Sequence, residues 1–75
     1  MKKLVEVIAK GLVDDRDAVQ VQEEQRGKRT LLTLTVATDD MGKVIGKQGR
    51  IAKAIRTVLK AAAVRADKQV SLEIG

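Results

Sequence analysis

The 75-residue sequence contains no cysteine, histidine, proline, phenylalanine, tyrosine or tryptophan. Lack of cysteine rules out disulfides and thiolate metal ligands, and fits a reducing compartment. Lack of cysteine and histidine together removes the commonest nucleophile and general base. The one serine, Ser71, falls in a predicted strand. No enzymatic activity, cofactor, metal or small-molecule substrate is therefore expected. Asp14, Asp15 and Asp17 read as a solvated turn better than as an acid/base pair or a metal site. Lack of aromatic rings leaves the core to Val, Ile, Leu, Met and Ala, in a chain near the size where a domain is only marginally stable. No run of about 18 apolar residues could span a membrane, and the N-terminus lacks the apolar stretch of a secretion signal. The expectation is a cytosolic protein with one domain over residues 1–75.

What is present is charge, unevenly placed. The chain carries 15 basic and 10 acidic residues. From Asp40 to Lys60 there are six cations (Lys43, Lys47, Arg50, Lys53, Arg56 and Lys60) and one acid, Asp40; the rest of the chain is balanced. The whole net charge of +5 thus lies in one segment. Such a localised patch is the footprint of a polyanion.

That segment surrounds Met41-Gly42-Lys43-Val44-Ile45-Gly46-Lys47-Gln48-Gly49-Arg50-Ile51. Gly46 is suited to ending a short helix in a left-handed conformation, and Gly49 permits close backbone approach where the next helix opens. The turn offers unpaired N–H groups at a helix N-terminus, with Lys47 and Arg50 beside them, which is an arrangement for phosphate. A mononucleotide P-loop fits poorly, because Gln48 stands where Ser or Thr would ligate magnesium. A dinucleotide fingerprint fails because position 44 is Val, not Gly.

Periodicity supplies the elements. Met1–Val13 reads as an amphipathic helix with Leu4, Ile8, Gly11 and Leu12 on one face, widened by Val5 and Val7. Ala18–Glu24 alternates as a half-buried strand, Gln25–Arg29 reads as a hairpin loop around Gly27, and Thr30–Thr38 is a second strand with Leu32, Leu34 and Val36 on one face. On its other face, Leu31 and Ala37 suggest partial cover. Asp39 or Asp40 can cap a short helix running to Ile45. A longer helix, Arg50–Ala66, has the stripe Ile51, Ala54, Ile55, Val58, Leu59 and Ala62, with Lys53, Arg56 and Lys60 on another face. Val70, Leu72 and Ile74 form a last strand. A strand-helix-helix-strand unit favours a parallel crossover, so the prediction is an α+β fold with a three-stranded mixed sheet covered by helices on one face.

The string Val44-Ile45-Gly46-Lys47-Gln48-Gly49-Arg50-Ile51, followed by Ile55 and Leu59, resembles the GXXG signature of the KH domain, a single-stranded RNA-binding module. The order α-β-β-α-α-β matches the type II topology of that family. In length and motif the chain resembles the small bacterial single-KH-domain family KhpA. The resemblance implies that RNA phosphates lie near the N–H groups of Gly46 to Arg50. Lys47 would make the main contact, with Arg50 and Lys43 assisting and Gln48 reaching a phosphate or sugar. It further implies an apolar floor for bases from Val44, Ile45 and Ile51, with Ile51 shared with the core. Lys53 extends the basic face. The opposite wall would come from the Thr30–Thr38 strand, with Arg26, Lys28 and Arg29 reaching over it. Pairing with itself or with a larger KH-containing RNA-binding protein, RNA-chaperone activity and post-transcriptional regulation are implied as well.

Aromatic stacking, used by other single-strand readers, is excluded, so weak and poorly selective binding by one copy is expected. Two alternatives arise from the residues. One is a helix-turn-helix DNA reader, since two helices meet at Gly46–Gly49. The other is a dimerising adaptor using Ala61-Ala62-Ala63-Val64.

Overall fold

Leu32 and Leu34 alternate with Thr33 and Thr35, and this alternation decides which way the sheet faces. Both leucines are fully buried, together with Thr30, while Thr33 is half-buried and Thr35 exposed. The computed structural model describes residues 1–75. Its elements are α1 (Lys2–Leu12), β1 (Gln20–Arg26), β2 (Arg29–Thr35), α2 (Met41–Ile45), α3 (Arg50–Arg65) and β3 (Gln69–Ile74). β1 pairs with β2 antiparallel and β3 pairs with β2 parallel, giving the order β1-β2-β3. The fold is the predicted α+β arrangement with a mixed sheet.

The hairpin is tighter than the sequence suggests. β1 extends to Arg26 and β2 starts at Arg29, leaving only Gly27-Lys28 in the turn. Gly27 has φ +58°, the positive value that two-residue hairpin turns require. Arg26 and Arg29 are therefore paired strand residues and not loop residues.

The helices meet the sheet through faces slightly rotated from the predicted stripes. In α1, Val5 and Ala9 are fully buried, while Leu4, Ile8 and Leu12 flank them half-buried. In α3, Ala52, Ile55, Leu59 and Ala63 face inward, whereas Ala54 is exposed and Val58 is 47% exposed. Alanines on several sides of a helix blur its apolar stripe. The sheet selects the side where small residues admit close approach around Ile55 and Leu59. Val5, Ala9, Leu32, Leu34, Val44, Ile55, Leu59 and Leu72 belong to one aliphatic cluster.

Candidate nucleic-acid interface

The turn between α2 and α3 is built by backbone conformation. Gly46 ends α2 with φ +76° and ψ 172°. This is an extended positive-φ state open essentially to glycine alone, and not the left-handed helical state expected from the sequence. A Cβ at this position would lie 2.6 Å from Ile51 Cγ1 and 2.9 Å from the Ile51 nitrogen. Gln48 (φ 57°, ψ 26°) and Gly49 (φ 73°, ψ 14°) then take left-handed conformations in succession. A Cβ on Gly49 would meet nothing within 4 Å, so the space above it is open.

Hydrogen bonding narrows the donors further. The Gly46 N–H donates to the Gly42 carbonyl, Gly49 to Gly46, and Arg50 to Lys47. Of the N–H groups from Gly46 to Arg50, only those of Lys47 and Gln48 lack a backbone acceptor. Lys47, Arg50 and Lys53 are exposed and belong to no ion pair. Arg50 Nη2 lies 3.4 Å from Gln48 Oε1, a long contact along the rim. Two free N–H groups, open space and unneutralised cations can accept an oxyanion.

Lys43 is placed differently. Its ammonium pairs with Asp14 and lies 3.2 Å from Asp40 Oδ1. Asp40 is 3% exposed, and it does not cap α2 through its side chain. Its carboxylate instead accepts the N–H of Asp15 at 3.0 Å and of Asp14 at 3.3 Å, tying α2 to the α1–β1 connection. The Asp15 N–H holds the Asp40 carboxyl below its ordinary value; burial opposes this, and the Asp14 N–H and Lys43 add to it. Asp14 and then Asp40 push the Lys43 ammonium up, against its desolvation. The lysine expected to assist phosphate is thus held at the surface as a brace between Asp14 and the buried Asp40. Asp14 likewise takes part in an ion pair and not merely in a solvated turn, and no group of three or more carboxylates is gathered for a metal.

The predicted apolar floor is divided. Val44 is fully buried in the core cluster and presents nothing to a ligand. Ile51 is half-buried against that cluster, and Ile45 is 37% exposed. A short helix joined to a long one must bury one side to hold its angle, and Val44 occupies that side.

The expected opposite wall also changes. β2 is the central strand, so both its edges are taken up in the sheet and it offers no free backbone wall. The strand facing α3 is β3. Gln69 and Gly75 donate their N–H groups toward β2, to Lys28 and Leu34, so alternation turns the groups of Val70, Leu72 and Ile74 to the outer edge. A groove lies between α3 and this edge, lined by Arg56, Leu59, Lys60, Val70, Ser71 and Leu72. Arg56 Nε donates to the Leu72 carbonyl at 3.2 Å across it. The sequence places Arg56 in the basic segment but gives no sign of this bond, which joins residues 16 apart.

Arg26, Lys28 and Arg29 do not come to the glycine turn. Lys28 bonds Asp67 at 3.1 Å, and its carbonyl accepts the Gln69 N–H, so the hairpin tip sits at the C-terminal end of α3. The 16 residues of α3 rise about 24 Å, which separates tip from turn. Parallel pairing of β2 with β3 forces this placement, because both strands begin at the end where α3 finishes. Arg26 is further neutralised by Glu24 at 2.7 Å.

An α-β-β-α-α-β chain with a mixed sheet and a Gly-Lys-Gln-Gly turn between its second and third helices has the architecture of a type II KH domain. A family profile described as "KhpA/KhpB, KH domain" matches residues 2–74. The chain is similar to the RNA-binding protein KhpA of Clostridium acetobutylicum, 64% identical over 74 residues that cover 99% of each chain. It is also similar to the proteins of that name from Clostridium perfringens, at 60% over 99% of each chain, and Aquifex aeolicus, at 49% over 99% of this chain and 94% of the relative. No solved structure matches it. The chain belongs to the KhpA/KhpB KH-domain family, which comprises binding modules and not enzymes.

Proposed function

We propose that the protein binds single-stranded RNA in the cytosol, with the Gly46–Gly49 turn clamping the phosphate backbone. The observation that carries this is the pair of unsatisfied N–H groups, Lys47 and Gln48, beneath open space and beside the unpaired cations Lys47 and Arg50. The relatives named as RNA-binding proteins support the choice of nucleic acid. Ile45 and the exposed side of Ile51 offer aliphatic contact to a base, and the outer edge of β3 offers backbone groups for base edges.

The test replaces Lys47 and Gln48 together by Asp, putting two carboxylates where the phosphate would sit. Asp tolerates the left-handed conformation found at position 48. Negative charge at the start of α3 also favours the helix, by about 0.3–1 kcal/mol. Circular dichroism and the melting curve should stay near those of the parent while single-stranded RNA binding is lost. Retained binding would remove the turn from the mechanism. A parent preference for duplex DNA over matched single strands would favour the helix-turn-helix reading instead.

A second reading concerns assembly. Ala54, Val58, Ala61 and Val64 lie on the solvent side of α3, Val64 being 77% exposed. We infer that this face pairs with a second copy or with a larger KH-containing RNA-binding protein. Two copies on one strand raise apparent affinity by making the second contact intramolecular. RNA chaperoning and post-transcriptional regulation fit a weak, paired binder of this kind.

A further inference from the structure

Several cations toward the far end of α3 belong to no ion pair. In the hairpin, Arg26 and Lys28 are neutralised by Glu24 and Asp67, but Arg29, Lys60 and Lys68 pair with no carboxylate. They converge on one hollow between the C-terminal half of α3 and the start of β3, floored by Ala63 and Val70. Ser71 Oγ accepts from Arg29 Nη2 at 3.3 Å, which anchors the guanidinium at its rim. Glu24 and Glu73 lie beyond Arg29, in the hollow on the open sheet face, and neither forms an ion pair with it.

This hollow adjoins the groove described above, since Lys60, Val70 and Ser71 line both. The two follow one another along α3, and the distal one is the larger, about 370 Å³ against about 220 Å³. Arg50 and Lys53 extend the same line of unpaired cations back to the glycine turn. From Arg50 to Lys60 the helix rises about 15 Å. That exceeds the Debye length of about 8 Å at physiological salt, so the two cation groups act on different phosphates.

We infer that the distal hollow is a second phosphate subsite, in which Arg29, Lys60 and Lys68 hold the nucleic-acid backbone after it has left the Gly46–Gly49 turn. The subsite rests on the single-stranded RNA reading above. It makes the bound segment longer than the roughly four nucleotides that a glycine-turn clamp engages.

Fluorescence anisotropy with unstructured RNA of about four and about eight nucleotides, at two salt concentrations, tests this on three proteins. These are the parent, R29Q/K60Q/K68Q, and the control K2Q/K3Q/K10Q, which removes equal charge from exposed positions of α1. The parent should bind the longer strand at least tenfold tighter. R29Q/K60Q/K68Q should lose that gain, and its slope of log affinity against log salt on the longer strand should fall by about 2, from about 0.7 per lost phosphate contact. The control should keep the gain. A parent that binds the short strand but gains nothing from length overturns the subsite and leaves the clamp standing. Equal losses on both lengths, or loss of the gain in the control, overturn it too. A parent that binds neither strand overturns both readings. The parent's own length and salt dependence decides the matter even where a variant folds poorly.

Discussion

Gly46 and Gly49 are both glycines at positive φ, yet they stand in different physical situations. At Gly46 the backbone state is closed to other residues, and an added Cβ would also collide with Ile51 side chain and backbone. At Gly49 the conformation is ordinary left-handed helix and the space is open. Gly49→Ala should therefore cost only the left-handed penalty, about 1–2 kcal/mol. Gly46→Ala adds a backbone clash that cannot relax by rotating a side chain, and should cost about 2–5 kcal/mol, enough to unfold much of a small domain. Urea titration of the two variants measures the difference, and equal losses would refute the account of the turn. Gln48 is the one non-glycine residue of the turn held in left-handed conformation. Strain of this kind concentrates at binding sites, where the surrounding structure over-determines it.

At the level of elements, α2 is only five residues long and cannot hold itself in place. Two devices fix it: Val44 beneath, and the Asp40–Lys43–Asp14 brace on its flank. The brace predicts a pH dependence. The Asp40 carboxyl is held below its ordinary 3.8, so its contribution is present above that value and is lost as pH falls through the lowered one. The Lys43 ammonium is raised above 10.5, so its contribution is present below that value and is lost as pH rises through the raised one. Denaturation curves of the parent should weaken at both extremes. Asp40→Asn should flatten the acid limb, and Lys43→Met the alkaline limb. An acid limb unchanged in Asp40→Asn would show that Asp40 is not the group responsible. Because the brace orients the helix that enters the glycine turn, Asp40→Asn should also weaken RNA binding at neutral pH, although residue 40 is buried and cannot touch a ligand.

Across the whole molecule, the charges divide by pairing. Lys43, Lys28 and Arg26 form ion pairs, whereas Lys47, Arg50, Lys53, Arg56, Lys60, Arg65, Lys68 and Arg29, along α3 and at its ends, pair with no carboxylate. The outer face of that helix carries Val58 and Val64. If that face pairs two copies, Val58→Glu with Val64→Glu should leave the melting behaviour nearly unchanged, because both residues are substantially exposed. It should shift light scattering across a concentration series from dimer to monomer and weaken binding to RNA long enough for two copies. A parent that stays monomeric at every concentration, alone and with a larger KH-containing protein added, would remove the pairing proposal.

The order of elements, the glycine turn and the clustering of charge were legible in the sequence. Each depends on local chemistry: alternation along a strand, helical period, and the conformations open to glycine. The parallel crossover followed from element order alone. What only the tertiary structure decided involves residues far apart in the chain. Asp40 meets Asp14 and Asp15 across 26 and 25 positions, Lys28 meets Asp67 across 39, and Arg29 meets Ser71 across 42. Those meetings determine which cations are neutralised, that Val44 faces inward, that the hairpin tip lies at the end of α3 remote from the turn, and that β3 forms the groove wall. No local pattern encodes them, because they arise where the sheet register and the packing of α3 bring separate segments together.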